Sequence, residues 1–141
     1  VQLPADALLI PHAGGAARLL GMTTGQVQAD RPSAALALAQ RYQAVVVLKG
    51  AGSLIASADG RLALCDRGHP AMAGAGLGDV LAGLLGALRA QGLPAFEAAC
   101  LGVWLHASAG ERLAEQGRGL IASELLPAIR QLLEEVSPCL L

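Results

Sequence analysis

The sequence predicts an α/β fold, and three observations carry that prediction. Ala44 to Leu48 (AVVVL) is a continuous β-branched run of the kind found in strands covered on both faces. Ala/Leu-rich segments on either side of it repeat their apolar residues at helical spacing. A glycine-rich stretch, Gly74 to Gly78, runs directly into an amphipathic helix that the pattern starts near Val80.

The elements follow in order. Ala7 to Ile10 is short, apolar and stopped by Pro11, as a buried strand ending at a sheet edge would be. Ala16, Ala17, Leu19 and Leu20 form a helical face closed by Gly21, and Pro32 to Tyr42 is a second helix with proline in its first turn. Ser53 to Ser57 and Arg61 to Cys65 flank Asp59-Gly60, a dipeptide suited to the positive φ values of a tight hairpin. The remainder reads as helices over Val80 to Gln91, Ala95 to about Gln116, and Ser123 to Val136. The middle one is apolar nearly all round, which places Phe96, Cys100, Val103 and Trp104 at the domain centre.

Composition narrows the function classes. With 54% hydrophobic and 15% charged residues the 141-residue chain must bury a core, and its length allows one domain. Aromatics are 2% of residues and the formal charge is −1, which removes both stacking platforms and a basic stripe and argues against nucleic acid as a partner. The longest run without a charged residue, Ala98 to Gly110, is shorter than a membrane span, so no membrane partner is expected. The N-terminus shows no signal-peptide pattern, and Cys65, Cys100 and Cys139 are odd in number and outside any CxxC spacing. Together these predict a cytoplasmic chain with reduced thiols and no protein-held metal site.

Three segments could carry chemistry. In GAGLGD, Gly74 to Asp79, glycines let a ligand approach the backbone, and the helix start aims free N–H groups and a positive dipole end at one point, which suits phosphate. Asp79 is either a helix cap or a carboxylate that accepts a proton from an attacking hydroxyl. KGAGS, Lys49 to Ser53, begins as the central strand ends and contains the only lysine. It is either an exposed strand end or a cation placed for nucleotide phosphates beyond the carboxyl edge of a sheet. PHAGG, Pro11 to Gly15, puts His12 at the same edge, as a structural group or a ligand. His69 lies in a Gly/Pro-rich loop, and His106, on an apolar helix, reads as a satisfied core residue.

In combination, IPHAGGAARLLG (Ile10 to Gly21), VVVLKGAGSLI (Val45 to Ile55), GHPAMAGAGLGDVLAGLLGAL (Gly68 to Leu88) and GLIASELLPAI (Gly119 to Ile129) resemble the ADP-dependent NAD(P)HX dehydratase family, the C-terminal domain type of YjeF proteins. The resemblance implies a ribokinase-like, three-layer αβα sandwich. It implies ADP- or ATP-dependent dehydration of S-NAD(P)HX to NAD(P)H, with Mg2+ carried by the nucleotide. Phosphoryl transfer to the ring hydroxyl would precede loss of phosphate. By the same resemblance Lys49, Gly50, Ala51, Gly52, Ser53 and Gly78 would touch the nucleotide, and His12 and Asp79 would face NAD(P)HX. Asp79 would take the hydroxyl proton, and the amides of Ala75, Gly76, Leu77 and Gly78 would stabilise the transferring charge.

Where the family usually reads PHPGE this chain reads PHAGG, so Ala13 replaces proline and Gly15 an acidic residue. Members are about twice as long, and residues 1–141 correspond to the C-terminal part of their domain, with N-terminal strands of the sheet missing. Open strand edges then predict association with a second copy or with the other half of the domain. Two further readings remain: another ribokinase-like kinase, acting on hydroxymethylpyrimidine, pyridoxal or hydroxyethylthiazole, and a non-catalytic nucleotide-binding module.

Overall fold

The computed structural model describes residues 2–139, and in chain order they form β1 (Leu8–Leu9), α1 (Ala13–Leu20), α2 (Thr24–Ala29), α3 (Arg31–Tyr42), β2 (Val45–Leu48), β3 (Leu54–Ala56), β4 (Leu62–Leu64), α4 (Leu77–Ala90), α5 (Ala95–Ala114) and α6 (Leu125–Val136). Single 3-10 turns stand at Pro70–Met72 and Ala122–Glu124. The strands make one sheet in the order β1-β2-β3-β4, with β1 and β2 parallel and the β2-β3-β4 pairs antiparallel.

Strand alternation divides β2 between two cores. Val46 and Leu48, with Leu54 and Ala56 of β3, face helices α1 to α3, where Val27, Ala35 and Leu38 are fully buried. Val45, Val47 and Ile55 point the other way, onto Leu81 and Leu85 of α4 and Ala99 and Val103 of α5. Side chains on both faces of a four-residue strand explain why AVVVL is apolar without alternation. A third cluster, centred on Leu105 and Leu125, binds α6 to the outside of α5. The result is a three-layer αβα arrangement in which each fully buried Leu or Ile contributes about 1.5–3 kcal/mol.

Local signals account for most boundaries. Gly21, in the left-handed region at φ 66°, ends α1, and Asp30 starts α3 by accepting from the Ser33 N–H at 3.2 Å, with Pro32 in the first turn. Helix α2 is absent from the sequence reading, since six residues with two glutamines show little periodicity. Its Thr23-x-x-Gln26 capping box, present in both directions, was the available signal.

Two sequence expectations are corrected. In the β3–β4 turn only Gly60 has positive φ, at 94°, and the Ser57 N–H donates to the Arg61 carbonyl. The small hairpin stands where the sequence places it, but Asp59 keeps a negative φ and its carboxylate is bonded to the Ser57 hydroxyl. In α5 Val103 is buried in the core as expected, but the fully buried positions are mostly small, Ala98, Ala99 and Ala109 beside Leu105, and Phe96, Cys100 and Trp104 are half-buried at the margins. Close approach of α4 decides this, because a Cβ on Gly102 would collide with Leu85.

Candidate active site at the carboxyl edge of the parallel strands

Strands β1 and β2 run parallel, so their carboxyl ends open at the same edge and release the PHAGG and KGAGS loops side by side. The Lys49 N–H donates to the Pro11 carbonyl at 2.9 Å, joining the two loops one step past the sheet. Helix α4 brings GAGLGD to the same place. A Cβ on Gly78 would lie 2.7 Å from the Lys49 Nζ, so the glycine leaves the room that the ammonium occupies. The three segments singled out in the sequence thus converge.

Positive charge gathers at this corner ahead of the Asp79 carboxylate. Gly76, at φ 81°, turns the chain into α4, whose first N–H groups have no intrahelical acceptor. Lys49 stands beside that positive helix end, and among the described residues it forms no ion pair. A cation and a helix N-terminus placed together repel unless an anion joins them, and a phosphate is the matching ligand. The close approach permitted at Gly78 and the unpaired ammonium suit a nucleotide phosphate. No cluster of three His, Cys, Asp or Glu that could hold a metal stands among the described residues.

Asp79 is the third residue of α4 and is exposed. No hydrogen bond or salt bridge to its carboxylate is found among the described residues, so it does not cap the helix. It stands at one end of an otherwise apolar groove of about 500 Å³ between α4 and α6, lined also by Val80, Gly83, Leu84, Leu126 and Ile129. A carboxylate with no other partner at this position can take a proton from a hydroxyl brought beside it.

His12 is placed differently. Its Nδ1 accepts from the Gly15 N–H at 3.1 Å and caps α1, so the structural role considered for it is filled, while Nε2, at an exposed position, has no partner among the described residues. His69 likewise caps the Pro70–Met72 turn through Nδ1.

Two further residues support these loops, one of them missed in the sequence. Arg31, the first residue of α3, donates to the carbonyls of Leu48, Ala51 and Gly52 at 3.2, 2.8 and 3.1 Å. No spacing ties position 31 to position 51, so nothing in the sequence pointed to it. His106 is satisfied as the sequence reading expects: its Nε2 meets the Leu77 carbonyl, in the first turn of α4, at 2.9 Å. Burial pushes its pKa below the usual histidine value, the bond to Leu77 opposes this, and nearby Lys49 adds to the lowering.

Known proteins share both the sequence and the fold. The family model for NAD(P)H-hydrate dehydratase matches residues 2–132. The chain belongs to the NAD(P)H-hydrate dehydratase family. It is 46% identical over 133 residues to an ADP-dependent (S)-NAD(P)H-hydrate dehydratase of Neisseria meningitidis, covering 92% of this chain and 45% of the relative. It is 50% identical over 132 residues to a bifunctional NAD(P)H-hydrate repair enzyme of Vibrio cholerae, covering 92% of this chain and 26% of that one. An ADP/ATP-dependent NAD(P)H-hydrate dehydratase from Bacillus subtilis, co-crystallised with ATP and Mg2+, superposes with a TM-score of 0.87 at 28% identity, over 96% of this chain and 50% of that structure. A ribokinase-like superfamily protein from Enterococcus faecalis shares the fold at the same TM-score and 24% identity. The chain therefore spans about half the length, or less, of the relatives it matches.

Proposed function

We propose that this chain carries the nucleotide-side part of an active site for ADP- or ATP-dependent dehydration of S-NAD(P)HX to NAD(P)H. The observation that supports it most directly is the Lys49 ammonium set against Gly78 at the start of α4, with the uncommitted Asp79 carboxylate one residue on.

In this reading the KGAGS loop, Lys49 to Ser53, and Gly78 receive the nucleotide, and the amides of Ala75, Gly76, Leu77 and Gly78 stabilise charge on the group being transferred. Loss of a single such donor costs about 3–4 kcal/mol in enzymes where it has been measured. Bound nucleotide with its magnesium supplies the phosphoryl group that makes the substrate hydroxyl a leaving group. Asp79 takes that hydroxyl's proton, and His12 presents its free Nε2 to the substrate. The cysteines Cys65, Cys100 and Cys139 are all free thiols, which suits a reducing, cytoplasmic setting.

Absorbance at 340 nm with NAD(P)HX, ADP and magnesium tests the activity, and calorimetric titration with ADP alone tests the nucleotide site. Turnover supports the enzyme reading. Nucleotide binding without turnover transfers the conclusion to a binding module, and turnover of a hydroxymethylpyrimidine or pyridoxal in place of NAD(P)HX transfers it to a kinase.

A further inference from the structure

We infer that Arg31 is a positioning residue for the nucleotide loop: its guanidinium turns the KGAGS loop so that the peptide N–H groups of Gly52 and Ser53 face outward as donors. The inference rests on the nucleotide reading of that loop and adds to it a residue outside every motif.

The geometry follows from peptide planarity. In a trans peptide the C=O and the next N–H point in opposite directions, and the chain contains no cis bond among the described residues. Arg31 holds the Ala51 carbonyl at 2.8 Å and the Gly52 carbonyl at 3.1 Å, both through one guanidinium nitrogen. The N–H groups of Gly52 and Ser53 therefore point away from the arginine. The Leu48 carbonyl, held at 3.2 Å by the other nitrogen, directs the Lys49 N–H the same way, and that N–H already donates to Pro11. One side chain thus orients three peptide units between Leu48 and Ser53.

Two further observations favour this role over simple packing. Arg31 has no carboxylate partner among the described residues, and the hydrogen bonds its guanidinium makes all go to backbone oxygens at the end of β2 and in the loop that follows. Its permanent charge lies behind the loop and raises the positive potential that an anion in front would meet. Gly50 also leaves the space the guanidinium fills, since a Cβ there would come within 2.8 Å of it. Lysine cannot replace this fork, because a single ammonium cannot span the same acceptors in the plane of the loop.

The test uses the chain as it stands, with ADP as the probe, and three variants: Arg31→Lys, which keeps the charge, Arg31→Ala, and Gly50→Ala, which displaces the guanidinium while leaving it in the chain. ADP affinity from calorimetry is expected to fall roughly tenfold in each, the scale of one lost charge-assisted hydrogen bond. Added methylguanidinium should restore part of the affinity of Arg31→Ala and none of that of Gly50→Ala. Amide exchange at Gly52 and Ser53, measured without nucleotide, should quicken in Arg31→Lys while the midpoint of thermal unfolding stays close to that of the parent. Unchanged ADP affinity in Arg31→Lys and Gly50→Ala overturns the inference, and so does unchanged amide exchange at the two positions. If Arg31→Ala does not fold, those two variants decide the matter. A parent chain that binds no ADP, in the presence of a loop that loosens in Arg31→Lys, removes the nucleotide reading and leaves the orienting contact standing.

Discussion

The KGAGS and PHAGG loops leave neighbouring parallel strands at the same edge, yet they are held by different means. PHAGG closes on itself: His12 caps the helix that follows, three residues away. KGAGS borrows its support from Arg31 at the start of α3, 20 and 21 positions before the loop carbonyls it holds, and its lysine lies against a glycine of α4. A local cap survives substitution of its surroundings, whereas a borrowed one depends on the whole domain being folded. The borrowed loop also sits where charge is unbalanced, and there an error of orientation costs most.

Experiments can press on that contrast, and the largest effect is expected at the carboxylate that neither loop supplies. Asp79→Asn should reduce turnover by about 10²–10⁴-fold, the usual contribution of a general base, while ADP affinity stays within twofold of the parent. Parallel loss of ADP affinity, read by calorimetry, would put Asp79 in the binding site and not in proton transfer. Lys49→Met should weaken ADP binding by about 1.5–3 kcal/mol, the value of a hydrogen bond to a charged group, and should flatten the dependence of affinity on salt. An unaltered salt dependence would show that the ammonium does not face the ligand.

Smaller effects are expected on the self-closed side. His12→Ala removes a helix cap and should lower unfolding free energy by about 1 kcal/mol in urea, with ADP binding unchanged. Full stability in that variant would mean that the bond to Gly15 is not formed in solution. The smallest effect concerns acid. Burial holds His106 below its ordinary value of 6.5, so the unfolded chain takes up this proton before the folded one does. The contribution of neutral His106 to stability is therefore whole above about pH 6.5 and declines as the pH falls below it toward the lowered folded value. Urea titrations between pH 7.5 and 5 should show that decline, and His106→Gln should remove its share of the slope; an identical slope in the variant would locate the acid sensitivity elsewhere.

Much of the candidate site was readable in one dimension because its chemistry resides in short, contiguous stretches. Lys49 and its glycines follow a run of valines, and Asp79 follows three glycines at a helix start, so residue type and neighbourhood coincide. The remaining parts were not readable for a physical reason. Arg31 looks like any charged residue at the start of a surface helix until α3 is laid over the sheet and the guanidinium reaches residues 48–52. The small buried face of α5 was misjudged because apolar pattern reports what is buried and not how closely the neighbour comes, and it is Leu85 against Gly102 that excludes larger side chains.

The sequence by itself determined the elements and their chemical endowment: a β-branched strand apolar on both faces, helices with their caps, a single lysine and a glycine-flanked aspartate, each the result of local sterics and side-chain type. The tertiary structure alone decided which of these meet. Orientation of a peptide N–H, the distance from an ammonium to a helix end and the freedom of a carboxylate all depend on residues far apart in the chain, and only packing of both helical layers on one sheet brings them within hydrogen-bonding range.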